Sequence, residues 1–298
     1  MERVFIKKYK VAHSPDSDDL AMFAPIRFGW VEIGKGKISL SADQLDIETL
    51  NRNSLEGVYD ITAISFGVYP FIVREYALLR TAVSFGYGYG PKLIKKRNKR
   101  LKRRFKVGLS GPFTTNGLIF KIAYPEARPI YLPFNKIEEA VISGKVDAGV
   151  VIHESILTLS EEVVVERELW DVWVELIGDE LPLPLGGMAI RRSIPLLSAI
   201  EIEEGLKKGV EIANRFRQRL IETLQSVEKI KIEKELLNRY LEMYAGTKAV
   251  EMGEEELKAL NFLYQLGMQQ KLLPSIGEVR NYLIPRNYRK FRFDGLEN

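Results

Sequence analysis

The chain of 298 residues has no cysteine and only two histidines. Absence of cysteine excludes disulfides, thiolate metal sites and a cysteine nucleophile. Two histidines without an H-x-x-x-H spacing disfavour a zinc site, although carboxylates alone can hold Mg²⁺; no metal and no cofactor are expected. Neither G-x-G-x-x-G nor a P-loop occurs, and there is no G-x-S-x-G elbow, so a nucleotide fingerprint and a hydrolase triad both lack support. No apolar run reaches membrane-spanning length. The opening "MERVFIKKYKVAHSPD" lacks the long apolar segment of a secretory signal, so a cytoplasmic protein with no membrane partner is expected.

What is present suits a globular protein of two domains: 46% of residues are hydrophobic and 28% charged. The net charge of +4 is local, because "KKRNKRLKRR" at 95–104 carries eight positive charges and the rest of the chain is net negative. The run lies between the apolar segments "GPKLI" and "FKVGLSG" and reads as a solvated hairpin tip. A nucleic-acid surface needs base-stacking aromatics or a reader helix as well, so no nucleic-acid partner is expected.

Strand and helix patterns alternate, which predicts an α/β fold with parallel strands. "YKVAHS", "ISLSADQLD", "YDITAIS", "FKVGLSG", "ARPIYLPF" and "VDAGVVIH" read as strands. Helices are expected over "SDDLAMFAPIRFG" with Asp16 or Ser17 as N-cap, over "YPFIVREYALLR", over "TTNGLIFKIAYPE" with Thr114 or Thr115 as cap, and over "NKIEEAVISG" capped by Asn135. Beyond residue 196 the pattern is amphipathic helix, beginning with one long segment, "LSAIEIEEGLKKGVEIANRFRQRLIETLQ". Gly/Pro-rich extended segments near 84–92 and 181–191 bracket a region with complete βαβ units of its own. Two lobes are therefore expected: residues 1–86 with 188–298, and an inserted lobe at 87–187, hinged at the two crossings.

Ligands of open α/β sheets bind beyond the carboxyl ends of the strands. Four such ends are polar: "HSPDSDD", "ISFG", "GPFTTNG" and "HES". They supply Ser14, Ser65, Thr114, Thr115 and Asn116 as candidate substrate-binding residues, with helix N-termini offering free N–H groups to an anionic part of a ligand. Ordinary N-capping accounts for the threonines equally well. Both histidines fall at these strand ends. His153 is the candidate catalytic group, because an imidazole exchanges a proton near neutral pH at little cost. His13 is the weaker of the two, its aspartate neighbours sufficing to hold it as a cap. The glycines of "GYGYG" are expected to allow hinge geometry or a close approach of backbone to ligand.

The ordered series "HSPDSDD", "LDIETLN", "YDITAISF", "FGYGYGP", "TTNGLIF", "VVIHES" and "LPLPLGGMAIRR" resembles the 1,4-dihydroxy-6-naphthoate synthase family of the futalosine route to menaquinone, from about residue 9 to 274. The resemblance implies a fold like type II periplasmic binding proteins, two α/β lobes with two hinge crossovers. It implies a carbon–carbon lyase that splits cyclic dehypoxanthinyl futalosine, with His153 as proton acceptor and Asn51, Ala63, Ile64, Ser65, Thr115 and Asn116 at the substrate. The substrate would be a small aromatic carboxylate; the oligomeric state stays open, a homodimer included. The chain departs from the family where Ala63 replaces a usual lysine, where "SPDSDD" replaces S-P-C-P-N-D, and where Tyr87 replaces a common arginine. A non-catalytic organic-anion-binding protein of the same fold and a chorismate dehydratase-like sister enzyme are the alternatives; the "IHES" histidine speaks against the second.

Overall fold

The computed structural model describes residues 6–152, 156, 158–228, 230 and 232–286. Two sheets organise it. The first holds β1 (Lys7–His13), β2 (Ile38–Gln44), β3 (Ile61–Ser65), β4 (Tyr76–Leu78), β5 (Ser84–Gly86) and β11 (Leu183–Arg191), in the order β2-β1-β3-β11-β4, with β5 also on β11. The second holds β6 (Lys92–Lys96), β7 (Lys106–Leu109), β8 (Arg128–Tyr131), β9 (Ala148–Val151) and β10 (Val163–Glu168), in the order β10-β6-β9-β7-β8. The chain passes from the first sheet to the second after β5 and returns before β11. The fold is α/β with two lobes.

The strands are mixed and not all parallel. β1 pairs in parallel with β2 and β3, whereas β11 returns antiparallel to β3, β4 and β5. In the second sheet β7 runs parallel to β8 and β9, and β6 antiparallel to β9 and β10. β3 and β9 are buried at every position, as strands covered on both faces are, with Thr62 and Ser65 the polar residues of β3. β11 is one strand of the first sheet through Gly187 and Met188, where the lobe boundary was expected.

Because β9 lies between β6 and β7, the basic run cannot be a hairpin tip. It is a connection passing the end of β9, and four of its charges are paired: Lys95 with Glu166 at 2.6 Å, Lys99 with Asp147 at 2.5 Å, and Arg103 and Arg104 both with Glu126. Sequence adjacency suggested pairing that a later strand pre-empted.

The helices differ from expectation in three places. α3 spans only Tyr69–Ile72, since "EYALL" is drawn into β4 beside β11. α5 (Ile137–Ile142) begins after a 3₁₀ turn at Phe134–Lys136, so Asn135 lies inside that turn and Lys136 occupies the cap. The long C-terminal segment divides at Phe216 (φ −113°, ψ 32°) into α7 (Leu196–Arg215) and α8 (Arg217–Val227). With α9 (Lys234–Tyr244), these two pack against α1 (Ser17–Arg27). α6 (Leu169–Ile177) follows β10 and buries Trp173, whose indole N–H donates to Leu181 O at 2.9 Å on the return crossing.

α2 (Ile47–Leu55) and α4 (Thr115–Ala123) carry the lobes' facing turns. Each starts as its sequence dictates: Asp46 accepts from Thr49 N–H at 3.1 Å, and Thr114 accepts from Gly117 N–H at 3.1 Å. α10 (Glu254–Gln269) touches both α4 and β11. The lobes approach closely where glycine permits it. A Cβ on Gly111 would lie 2.0 Å from Glu48 Oε2, and one on Gly67 would lie 3.0 Å from Thr114 O. In "GYGYG" the close approaches are to the protein itself: a Cβ on Gly86 would strike Tyr89 O, and one on Gly90 the side chain of Leu183. Gly88 alone of the three needs glycine's freedom, at φ +80°.

Candidate active site in the interlobe cleft

Between the lobes lies a cleft of about 730 Å³, part of it open to solvent at the mouth. The first lobe contributes the β1–α1 turn, the end of β3, part of β11 and two tyrosines of α9. The second contributes Ser110, the start of α4 and Ile152 at the end of β9. Strand ends and helix starts meet here because both sheets point their carboxyl ends inward, the arrangement expected of a ligand site in open α/β sheets.

Ser14, Ala63, Ile64, Ser65, Thr114, Thr115 and Asn116 all line this cleft. Asn51 does not; it is fully buried behind Ser65. Its amide donates to Ser65 Oγ at 3.0 Å, and its carbonyl oxygen accepts from Ser65 N–H at 2.8 Å. Asn51 therefore fixes the serine at the cleft wall. His153, Glu154 and Ser155 lie outside the described residues; Ile152, immediately before them, lines the cleft.

The hydroxyls of the second lobe are largely engaged by the protein. Thr114 Oγ1 donates to Gly111 O at 3.0 Å while it caps α4. Thr115 Oγ1 donates to Leu185 O at 2.5 Å and accepts from Gly67 N–H at 3.1 Å. Since Leu185 and Gly67 belong to the first lobe, Thr115 is a bridge across the cleft. Glu48 makes a second bridge, accepting from Phe113 N–H at 3.4 Å while paired with Arg52 at 3.0 Å. Burial pushes the Glu48 carboxyl up, against the pull of Phe113 N–H and Arg52.

The first-lobe wall is acidic and aromatic. Asp16, Asp18 and Asp19 line the cleft, and no lysine or arginine does so among the described residues. Asp19 accepts from Ser14 N–H at 2.7 Å, Asp16 accepts from the Ser14 hydroxyl, and Asp18 accepts from Tyr240 OH at 3.2 Å. Burial pushes the Asp19 carboxyl up to about 7, opposed by its bond to Ser14 N–H and reinforced by the charge of Asp16. Tyr244, one turn beyond Tyr240, is 2% exposed and its hydroxyl has no hydrogen-bond partner among the described residues.

His13 takes no part in the cleft. Its side chain lines a groove on the other face with Phe23 and Arg27, and its ring stacks on Phe23 at 4.6 Å. Nδ1 lies 2.8 Å from Ser14 O, and burial lowers its pKa. The neighbouring aspartates do not hold it. Missed from the sequence were Asp18 and Asp19 as cleft residues in their own right, the Gly186–Gly187 stretch of β11, and the tyrosine pair. The i, i+4 spacing of Tyr240 and Tyr244 was visible, but it reads as an ordinary core stripe.

The family model described as "Menaquinone biosynthesis" matches residues 9–269. The chain belongs to the menaquinone biosynthesis family. Within it, the chain is 25% identical over 279 residues to a 1,4-dihydroxy-6-naphthoate synthase of Streptomyces coelicolor, covering 90% of this chain and 95% of that one. It is 26% identical over 256 residues to the enzyme of the same name from Thermus thermophilus, covering 86% and 92%. A solved protein of Archaeoglobus fulgidus superposes with a TM-score of 0.82 at 32% identity, over 89% of this chain and 98% of that one. The alkanesulfonate-binding protein of Xanthomonas axonopodis, bound to MOPS, superposes with a TM-score of 0.68 at 14% identity, over 94% and 98%. The family member thus has the periplasmic-binding-protein fold.

Proposed function

We propose that this member of the family is a 1,4-dihydroxy-6-naphthoate synthase, a carbon–carbon lyase that converts cyclic dehypoxanthinyl futalosine in the interlobe cleft. The observation that carries this reading is the family match over residues 9–269, a span that includes every element contributing to the cleft. The names of the Streptomyces and Thermus relatives support the same activity, and a cytoplasmic location accords with a biosynthetic enzyme.

In this proposal His153, directly after the cleft residue Ile152, removes a proton from the bound substrate to start the fragmentation. Ser65, held on two sides by Asn51, and Asn116 at the start of α4 orient the polar groups. The lobes, divided where the chain leaves the first sheet after β5 and returns to it before β11, close about those crossings. The bridges made by Thr115 and Glu48 hold the closed form and exclude water from the reacting centre.

The test is to incubate pure protein with cyclic dehypoxanthinyl futalosine, without added metal, and to look for 1,4-dihydroxy-6-naphthoate by mass spectrometry. Product formation is expected. Binding without product would make the chain a binding protein of this fold, and consumption of chorismate in its place would reassign it to the sister reaction.

A further inference from the structure

Ser14 holds the turn between β1 and α1 through three polar groups. Its N–H donates to Asp19 at 2.7 Å, its hydroxyl donates to Asp16, and its carbonyl oxygen lies 2.8 Å from His13 Nδ1. The first two bonds are internal to the acidic turn; the third ties that turn to the end of β1. Residue 15 is proline, so the peptide unit joining it to Ser14 has no N–H, and the Ser14 carbonyl is the one hydrogen-bonding group by which that unit can be oriented. A carbonyl oxygen only accepts, so the contact requires the ring to carry a proton on Nδ1. Burial lowers the pKa of His13, which keeps the ring neutral near pH 7 with its single N–H at that position. The ring is itself immobilised. His13 is 1% exposed, its imidazole stacks on Phe23 at 4.6 Å with the planes 6° apart, and its own carbonyl accepts from Leu45 N–H at 3.1 Å. Nε2 has no partner among the described residues, so no second hydrogen bond there competes for the orientation of the ring.

We propose that His13 is a positioning residue for the cleft: from outside it, the Nδ1–H fixes the Ser14 carbonyl, and through Ser14 the turn that presents Asp16, Asp18 and Asp19 to the substrate. The inference rests on the cleft being the substrate site. His13 is not among the residues that line the cleft, so it acts through Ser14 and does not touch the substrate itself. Filling space would account for the stack on Phe23, but a leucine would fill that space as well. It would not account for an N–H directed at the one hydrogen-bonding group of a prolyl peptide unit. The two histidines of the chain thus divide the work, His153 at the reaction and His13 at the geometry of the opposite wall.

The test uses the full chain and three measurements. In the parent labelled with ¹⁵N-histidine, long-range ¹H–¹⁵N spectra at pH 7.5 should show His13 as the neutral Nδ1–H tautomer, with His153→Ala assigning the two rings; an Nε2–H tautomer or an imidazolium would overturn the proposal. Two variants then separate the hydrogen bond from the packing: His13→Asn keeps an amide N–H near the place of Nδ1, whereas His13→Leu fills the space without a donor. In hydrogen–deuterium exchange read by mass spectrometry, the peptide over residues 14–20 should exchange about five-fold faster in His13→Leu, the scale of one hydrogen bond, and close to the parent rate in His13→Asn. Peptides from β3 and α4 should keep the parent rate in both variants. Parent-like protection of 14–20 in His13→Leu, or equal acceleration in the two variants, would refute the positioning role, and should His13→Leu not fold, the tautomer and the His13→Asn exchange still decide. In turnover, His13→Leu should raise KM about five-fold with kcat changed by less than about two-fold, and His13→Asn should restore KM; an unchanged KM in His13→Leu would also refute it. A parent chain that forms no naphthoate refutes the lyase reading alone, because the spectra and the exchange rates require no turnover.

Discussion

Both walls of the cleft carry hydroxyls, and the two walls use them differently. On the second lobe the hydroxyls of Thr114 and Thr115 are each committed as donor and acceptor within the protein. On the first lobe the Tyr244 hydroxyl is buried with no partner among the described residues, and three aspartates share one turn. A polar residue at a cleft is therefore not by that fact a ligand contact. The second lobe's Thr115 ties the two walls together, whereas the first lobe's wall keeps a buried hydroxyl without a partner among the described residues.

That contrast can be broken most severely at His153, which follows the cleft residue Ile152 in the sequence. His153→Ala should fold and bind ligand but lose turnover by about 10² or more, the scale of general-base contributions; steady-state rates of naphthoate release check this. Thr115→Val is the next test. It leaves Gly67 N–H and Leu185 O without their bridge, which costs about 1–3 kcal/mol of the closed form. The radius of gyration in small-angle scattering should rise, and ligand affinity should fall with kcat less affected. An unchanged radius with an unchanged affinity would put the latch elsewhere.

Gly111→Ala probes the second bridge. The new methyl must displace the Glu48 carboxylate, a flexible end, so the expected loss is about 1–2 kcal/mol in chemical denaturation. The smallest effect is a pH slope. The Asp19 carboxyl is raised in the folded chain to about 7 from an unfolded value near 3.8, so the folded state holds the proton more tightly than the unfolded one. Its contribution is then most favourable below the unfolded value and is lost as pH rises towards 7. Asp19→Asn should flatten the melting temperature across that window relative to the parent, and parallel pH profiles would show that Asp19 is not perturbed.

How legible this was in the sequence depended on how local each feature is. The end of β3 and the start of α4 could be read because a short mainly apolar run and a threonine cap act over a few residues. Asn51 was placed at the substrate through resemblance alone, and its side chain is found supporting Ser65 from behind. The connection at 95–104 was misread as a hairpin because β9, about forty residues on, enters between β6 and β7; nothing near the run announces that. The division at Phe216 carries no glycine or proline to signal it. His13 and Ser14 are neighbours in sequence, yet one faces Phe23 and the other the cleft, as alternate residues at a strand end do. Tyr244 reached the cleft through α9 packing on α1, a tertiary contact that helix periodicity does not encode.

The central claim is that the interlobe cleft is where the ligand reacts. A crystal structure of the chain with 1,4-dihydroxy-6-naphthoate tests it most directly. The product should lie between the Ser65 turn and the start of α4, within hydrogen-bond reach of Ser65 and Asn116, with the His153 imidazole turned towards its ring. A product bound on the outer face of either sheet, or a His153 ring turned away from the cleft, would contradict the account.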